Sequence, residues 1–181
     1  MWQQVLSVLP ALDYSPSWLH GTQLRKQTLD HLTSDRWISL GGKPIDDIRQ
    51  RIKKRYEADR FTFHVGTDSK SYSDHTIITT TICFRENMNG ALVAYQRNKI
   101  DNFNNITERL LHETIVSLEA ARMVQNITGV PPTIHADVNS KDTALSYRML
   151  NVIMGMVQGM GYPIKVKPDA WAADIADMFT R

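Results

Sequence analysis

One cysteine among 181 residues removes disulfides and cysteine-built metal clusters from consideration at once. Cys83 lies inside an apolar stretch and reads as packing. No apolar run approaches the roughly 20 residues needed to cross a bilayer. The N-terminal MWQQVLSVLPALDYSPSW has a short apolar patch but lacks the basic flank and small-residue cleavage site of a secretion signal. A soluble, cytoplasmic protein without a membrane partner is the expectation. Neither charge dominates, because 21 Lys and Arg against 19 Asp and Glu leave a net charge of +2. That balance neither demands nor excludes a polyanionic partner, for which clustering counts more than the total. Repeats and low-complexity tracts are also missing. What remains is a chain with 42% hydrophobic residues and interspersed charges, ample for one core.

Residues 1–60 differ from the rest and read as an N-terminal helical extension. They hold Pro10, Pro16, the Gly41–Gly42 pair and three of the four Trp. The patch PIDDIRQRIKKRYEADR places acids early and bases along its body, and sets Ile45, Ile48, Ile52 and Tyr56 at helical spacing. Its Arg49, Arg51, Lys53, Lys54 and Arg55 form either a solvated face or a nucleic-acid surface.

From Phe61 the pattern alternates, and residues 61–181 read as the main domain. Phe61, Phe63 and Val65 share one face of a strand, with Thr62, His64, Gly66 and Asp68 on the other. The β-branched IITTTICF is its hairpin partner, and the NMNG turn leads to a third strand, ALVAYQRNK. A long helix runs from about Asn105 to the GVPP breaker. TIHAD is a fourth strand, Ser140 opens a helix through KDTALSYRMLNVIMGMVQ, and PIKVK is a fifth strand before the closing helix DAWAADIADMFTR. The order β-β-β-α-β-α-β-α gives an α/β fold with a mixed five-stranded sheet flanked by helices.

Two acids end strands in this reading, Asp68 and Asp137. If those strands are neighbours, their carboxylates converge at one sheet edge and call for a cation. The helical pitch puts Glu113 among Ile106, Leu110, Val116, Ala120, Ala121, Val124 and Ile127, with Glu108 and Glu119 roughly opposite. A carboxylate aimed at an apolar interface needs a partner or a metal. Arg109 or Arg122 is the structural alternative. Hard oxygen donors suit Mg²⁺ or Mn²⁺ rather than zinc.

The motifs GTDSK, ERLLHETIVSLEAA, HADVNSK and KPDAWAA, in that order on those elements, resemble the ribonuclease H superfamily and, within it, the YkuK-like family of ribonuclease H-related nucleases. The resemblance covers about residues 61–181. It implies two-metal phosphodiester hydrolysis with Asp68, Glu113 and Asp137 as ligands of Mg²⁺ or Mn²⁺, acting on RNA, an RNA/DNA hybrid or DNA. A fourth acid comes from Asp169, at the strand-to-helix junction, where it would also serve as a helix N-cap, or from Asp177, in an I-A-D motif similar to the family's. Asp174 is the weaker candidate. The alternatives are a junction-selective DNA endonuclease similar to Holliday junction resolvases, and a non-catalytic binding module working through residues 1–60.

Other residues carry weaker signals. Ser69 and Lys70 could touch a phosphate, although Lys70 opens a polar turn. His64 and His135 share strand faces with Asp68 and Asp137, yet read first as core or rim histidines. Tyr72 could stack on a base. Met149, Met154, Met156 and Met160 read as adaptable core filling.

Overall fold

The computed structural model describes residues 36–86, 90–139 and 145–181. Its elements run β1 (Trp37–Ser39), β2 (Pro44–Ile45), α1 (Ile48–Glu57), β3 (Phe61–Ser71), β4 (Thr76–Glu86), β5 (Ala91–Ile100), α2 (Ile106–Thr128) and β6 (Thr133–Asn139), followed by a 3-10 turn (Leu145–Met149), α3 (Leu150–Gly159), β7 (Ile164–Lys167) and α4 (Trp171–Asp177). The strands form one sheet in the order β2-β1-β5-β4-β3-β6-β7. β3, β4 and β5 make the antiparallel meander expected from their β-branched alternation. β6 and β7 join in parallel, each reached through a helix.

The sheet has seven strands rather than five. Both additions come from the segment read as an appendage, and strands of three and two residues are too short to show alternation. Trp37 pairs with Ile45 across them, and Ile38 with Tyr95 of β5. Trp37, Ile45, Ile48 and Ile52 enter the same core cluster as Val65, Phe84, Leu118 and Val124. Ile45, expected on the helical stripe, therefore lies on a strand, and Tyr56 at the far end of that stripe is exposed. The helix begins later, where the Asp47 carboxylate accepts the Gln50 N–H at 2.9 Å. Residues 1–35 of the expected extension lie outside the described residues. Ile52 is fully buried, so Ile52→Ala should cost about 2–5 kcal/mol in chemical denaturation. A loss below about 1 kcal/mol would show that α1 contributes little to the core.

The long helix starts on a reciprocal cap. Asn105 Oδ1 accepts the Glu108 N–H at 2.9 Å, and Glu108 Oε2 accepts the Asn104 N–H at 2.9 Å. It ends at Gly129, whose positive φ of 73° lets its N–H reach Gln125 O at 2.7 Å. The helix expected from Ser140 is α-helical only from Leu150, after the 3-10 turn; residues 140–144 lie outside the described residues. No helix among the described residues is long and apolar enough to cross a membrane.

The two faces of β3 take different helices, as its period of two requires. On one face Thr67 Oγ1 accepts a hydrogen bond from Ser117 Oγ of α2 at 2.9 Å, and Ser69 Oγ donates to Glu113 of the same helix at 2.6 Å. On the other, Gly66 lies against the backbone of Ala172 and Ala173 in α4. Thr81 Oγ1 points at both layers, at 3.2 Å from Gly66 O and 2.9 Å from Ala172 O.

Candidate active site

The parallel ladder between β3 and β6 has Thr67 opposite Ala136 as its last pair. The next residue on each strand is an acid, Asp68 and Asp137. β6 then shifts register against β7 between Ala136 and Asn139, while β3 stays paired with β4 as far as Ser71. The two strands thus separate where their carboxylates emerge. Asp68 is nearly inaccessible, and its carboxyl is pushed up to about 7, first by burial, then by the negative charges of Asp137 and Asp177, with Arg109 opposing.

Glu113 reaches the same place from the α2 side. It is buried, accepts the Ser69 hydroxyl, and has Arg109 Nε 3.7 Å from its Oε1. Burial and the charge on Asp68 push its carboxyl up to about 8 despite Ser69 and Arg109. Glu108 is occupied by the helix cap, and Glu119 pairs with Arg122 at 3.1 Å. Of the three glutamates of α2, Glu113 is the one turned to the sheet.

Of the C-terminal acids, Asp177 is the one whose charge is felt at Asp68. It sits at the end of α4, half-exposed, with Arg181 at 3.7 Å and Thr180 Oγ1 at 3.4 Å. Asp169 is exposed in the turn before α4, its N–H bonded to Val166 O at 2.9 Å. It is not the N-cap, a place taken by Ala170 without a side-chain bond. Asp174 is exposed, and its charge acts on Lys167.

Two cations complete the constellation, Arg109 beside Glu113 and Lys167 beside Asp137. Lys167, the last residue of β7, forms an ion pair with Asp137 Oδ1. Partial burial would lower the Lys167 ammonium, but the contact with Asp137 and the surrounding acids raise it. Asp68 and Asp137, expected to end their strands, lie inside them, since β3 continues to Ser71 and β6 to Asn139, and Lys167 pairs opposite Asn139.

Deeper on the α4 face, His64 Nδ1 and His135 Nε2 are 3.0 Å apart, and both rings pack on Trp171. Burial lowers both to about 4, so they are neutral and share one hydrogen bond. They are core histidines beneath the acids. His112 is also buried and lowered to about 4 by burial, and its ring lies on Phe103. Tyr72, a stacking candidate from its turn position, stacks on His75, and its hydroxyl donates to Thr180 O at 3.0 Å. Lys70 lies over the Tyr72 ring at 5.8 Å. Cys83 is buried with its thiol pushed up to about 12, which leaves it inert.

The chain that folds into this mixed sheet, a central antiparallel meander joined by a parallel strand, matches the Ribonuclease H-like family model over residues 44–181. The chain belongs to the ribonuclease H-like family. It is also similar to the uncharacterized protein YkuK of Bacillus subtilis strain 168, 26% identical over 165 residues that cover 80% of this chain and 95% of YkuK. The family match includes β2 and α1, in keeping with the burial of Ile45, Ile48 and Ile52.

For this ribonuclease H-like chain the donor set fits a hard divalent cation in kind. Asp68, Glu113, Asp137 and Asp177 offer carboxylate oxygens; the charge of Asp68 raises Glu113, and those of Asp137 and Asp177 raise Asp68. Among the described residues, however, no three His, Cys, Asp or Glu side chains are gathered as ready metal ligands. Asp137 is turned to Lys167, Glu113 to Ser69, and Asp177 to Thr180 and Arg181.

Proposed function

We propose that the chain is a nuclease that hydrolyses phosphodiester bonds of nucleic acid with bound Mg²⁺ or Mn²⁺. The observation that carries this reading is the pair of buried carboxyls, Asp68 and Glu113, both pushed well above their ordinary range and brought from a strand and a helix to the point where β3 and β6 part. Groups kept this far from their ordinary range at a sheet edge cost stability unless they serve a site. Nucleic acid is the substrate class of the reading, and cytoplasmic location its setting.

Asp68 and Asp137, side by side on adjacent strands, would hold the ions, with Glu113 and Asp177 completing the set from the two helices. Bound there, the two ions would supply an activated water and a counter-charge for the leaving oxygen. Ser69 and Arg109 orient Glu113 from opposite sides, one by a hydroxyl hydrogen bond and one by charge. Lys167 holds Asp137 by its ammonium, which also sets a positive charge beside a phosphate at the site. Asp169 remains a reserve candidate, placed near the junction of β7 and α4.

A non-catalytic nucleic-acid-binding module is the second reading, favoured by Lys167 and Arg109, which already neutralise part of the acid cluster. Labelled single strands, duplexes, RNA/DNA hybrids and junctions, each with Mg²⁺ or Mn²⁺, separate the two. Cleavage by wild type, lost by at least about a hundredfold in Asp137→Asn, is the expected result. No metal-dependent cleavage of any substrate would transfer the case to the binding module.

A further inference from the structure

Beside the acid cluster lies an open cleft of about 200 Å³, lined by Ser71, Phe103, Asn105, Ile106 and Arg109. It is walled by the end of β3 on one side and by the start of α2 on the other. The intervening loop is held in place: Thr76 Oγ1 donates to Asn102 Oδ1 at 2.7 Å, and Asn102 Nδ2 donates to Tyr72 O at 2.9 Å. The cleft is therefore formed before anything enters it.

Its lining divides by chemistry. Phe103 is half-buried, with one part of its ring against His112 at a centroid distance of 5.3 Å and another part facing the cleft. Ile106 adds an apolar wall. Arg109 supplies a cation whose side chain makes no hydrogen bond among the described residues. Its Nε is buried without a partner, and its nearest acid oxygen, Glu113 Oε1, is 3.7 Å away. A guanidinium offers five N–H donors in a plane, the geometry that grips a phosphate. An aromatic wall, an aliphatic wall and a guanidinium that touches Glu113 by charge but makes no hydrogen bond among the described residues fit a base and a phosphate of one nucleotide.

We propose that this cleft is a subsite for a single unpaired nucleotide next to the bond to be cut, its base on Phe103 and Ile106 and its phosphate on Arg109. The proposal rests on the nuclease reading and adds a substrate class to it. Bases inside a continuous duplex are covered on both faces by their neighbours, so only an unpaired, flipped or terminal base can lie on the ring. The chain then prefers single strands, overhangs or gaps to uninterrupted duplex.

The test is binding of full-length protein without metal, so that cleavage plays no part. Fluorescence anisotropy would use a single-stranded oligonucleotide, a duplex with a single-stranded overhang, and a duplex closed at both ends by loop-free crosslinks, each as DNA and as RNA. Phe103→Leu keeps an apolar group on His112 but removes the stacking face. Phe103→Trp restores one. The expected result is that wild type binds the single strand and the overhang more tightly than the closed duplex. Phe103→Leu should weaken the first two about tenfold and leave the third unchanged, and Phe103→Trp should recover the loss. A 2-aminopurine at the unpaired position should be quenched by wild type and by Phe103→Trp but not by Phe103→Leu. Equal effects on all three ligands, or no effect of Phe103→Leu on the single strand, would overturn the subsite. Metal-dependent cleavage by wild type, measured in parallel, keeps that failure separate from failure of the nuclease reading.

Discussion

Gly66→Ala is expected to melt lower than wild type and to lose most of its metal-dependent cleavage. A Cβ at Gly66 would lie 2.4 Å from Ala172 C and Ala173 N and 2.6 Å from Ala172 O. These are backbone atoms of α4, so no side chain can swing aside. Either β3 or the helix must retreat by about 1 Å, and overpacking of this kind costs about 1–3 kcal/mol. The catalytic effect should exceed the effect on stability. Asp177 is at the other end of α4, and a displacement of about 1 Å in a positioning element is enough to reduce turnover by about a hundredfold. Thermal melting and cleavage rate on the same preparations provide the check. A Gly66→Ala protein with unaltered Tm and full cleavage would show that α4 is not seated on β3 as described, and that Asp177 does not depend on it.

The second large effect is opposite in sign for stability. Without metal, Asp68→Asn should melt higher than wild type at pH 8, by an amount on the order of 2 kcal/mol or roughly 4–8 °C, while cleavage in the presence of metal disappears. The reason is the direction of the shifts. Asp68 is raised to about 7 and Glu113 to about 8 in the folded protein, against ordinary values near 4. A raised acid favours the fold while it keeps its proton, so the contribution is complete below about pH 4 and is lost as pH rises through 7 and 8. His64, His112 and His135 act the other way. Lowered to about 4, they contribute fully above about pH 6.5 and lose that contribution as pH falls toward 4. Between pH 6.5 and 8.5 only the carboxyls change, so the Tm of the metal-free wild type should fall across that window and that of Asp68→Asn should fall less. Mg²⁺ or Mn²⁺ should raise wild type more than the variant, because binding to the folded state alone adds stability. If the variant melts lower than metal-free wild type at pH 8, the acid cluster is not strained and Asp68 has a structural part instead.

The central sheet was legible because its strands are long and β-branched. Residues 61–100 alternate or run apolar over ten or more residues each, and the caps of α2 are written in Asn105 and Gly129. Glu113 could be placed by helical pitch because α2 is 23 residues long, enough turns for a stripe to define a face. Where elements shorten, the signal fades. β1 and β2 are too brief for periodicity, so the burial of Trp37 and Ile45 could not be foreseen. α4 has seven residues, three of them Ala with a fourth at the N-cap, and an alanine stripe says little about which acid faces inward. The sequence therefore leaves Asp169 and Asp177 both open, and in the structure it is the charge of Asp177 that acts on Asp68. The Lys167–Asp137 pair depends on β7 lying beside β6, a matter of tertiary neighbourhood with no local trace.

The early end of the β3–β6 ladder has a mechanical consequence. Asp68 stands on a strand laced to β4 for three further pairs, through Ser71 opposite Thr76, and so rests on a stiff support. Asp137 stands past the last bond between β6 and β3, on a stretch that also slips register against β7 before Asn139 meets Lys167. One acid is an anvil and the other a compliant jaw. The two side chains meet in a hydrogen bond across this parting, so whatever enters between them must first displace the contact at Asp137, on the strand that has left β3.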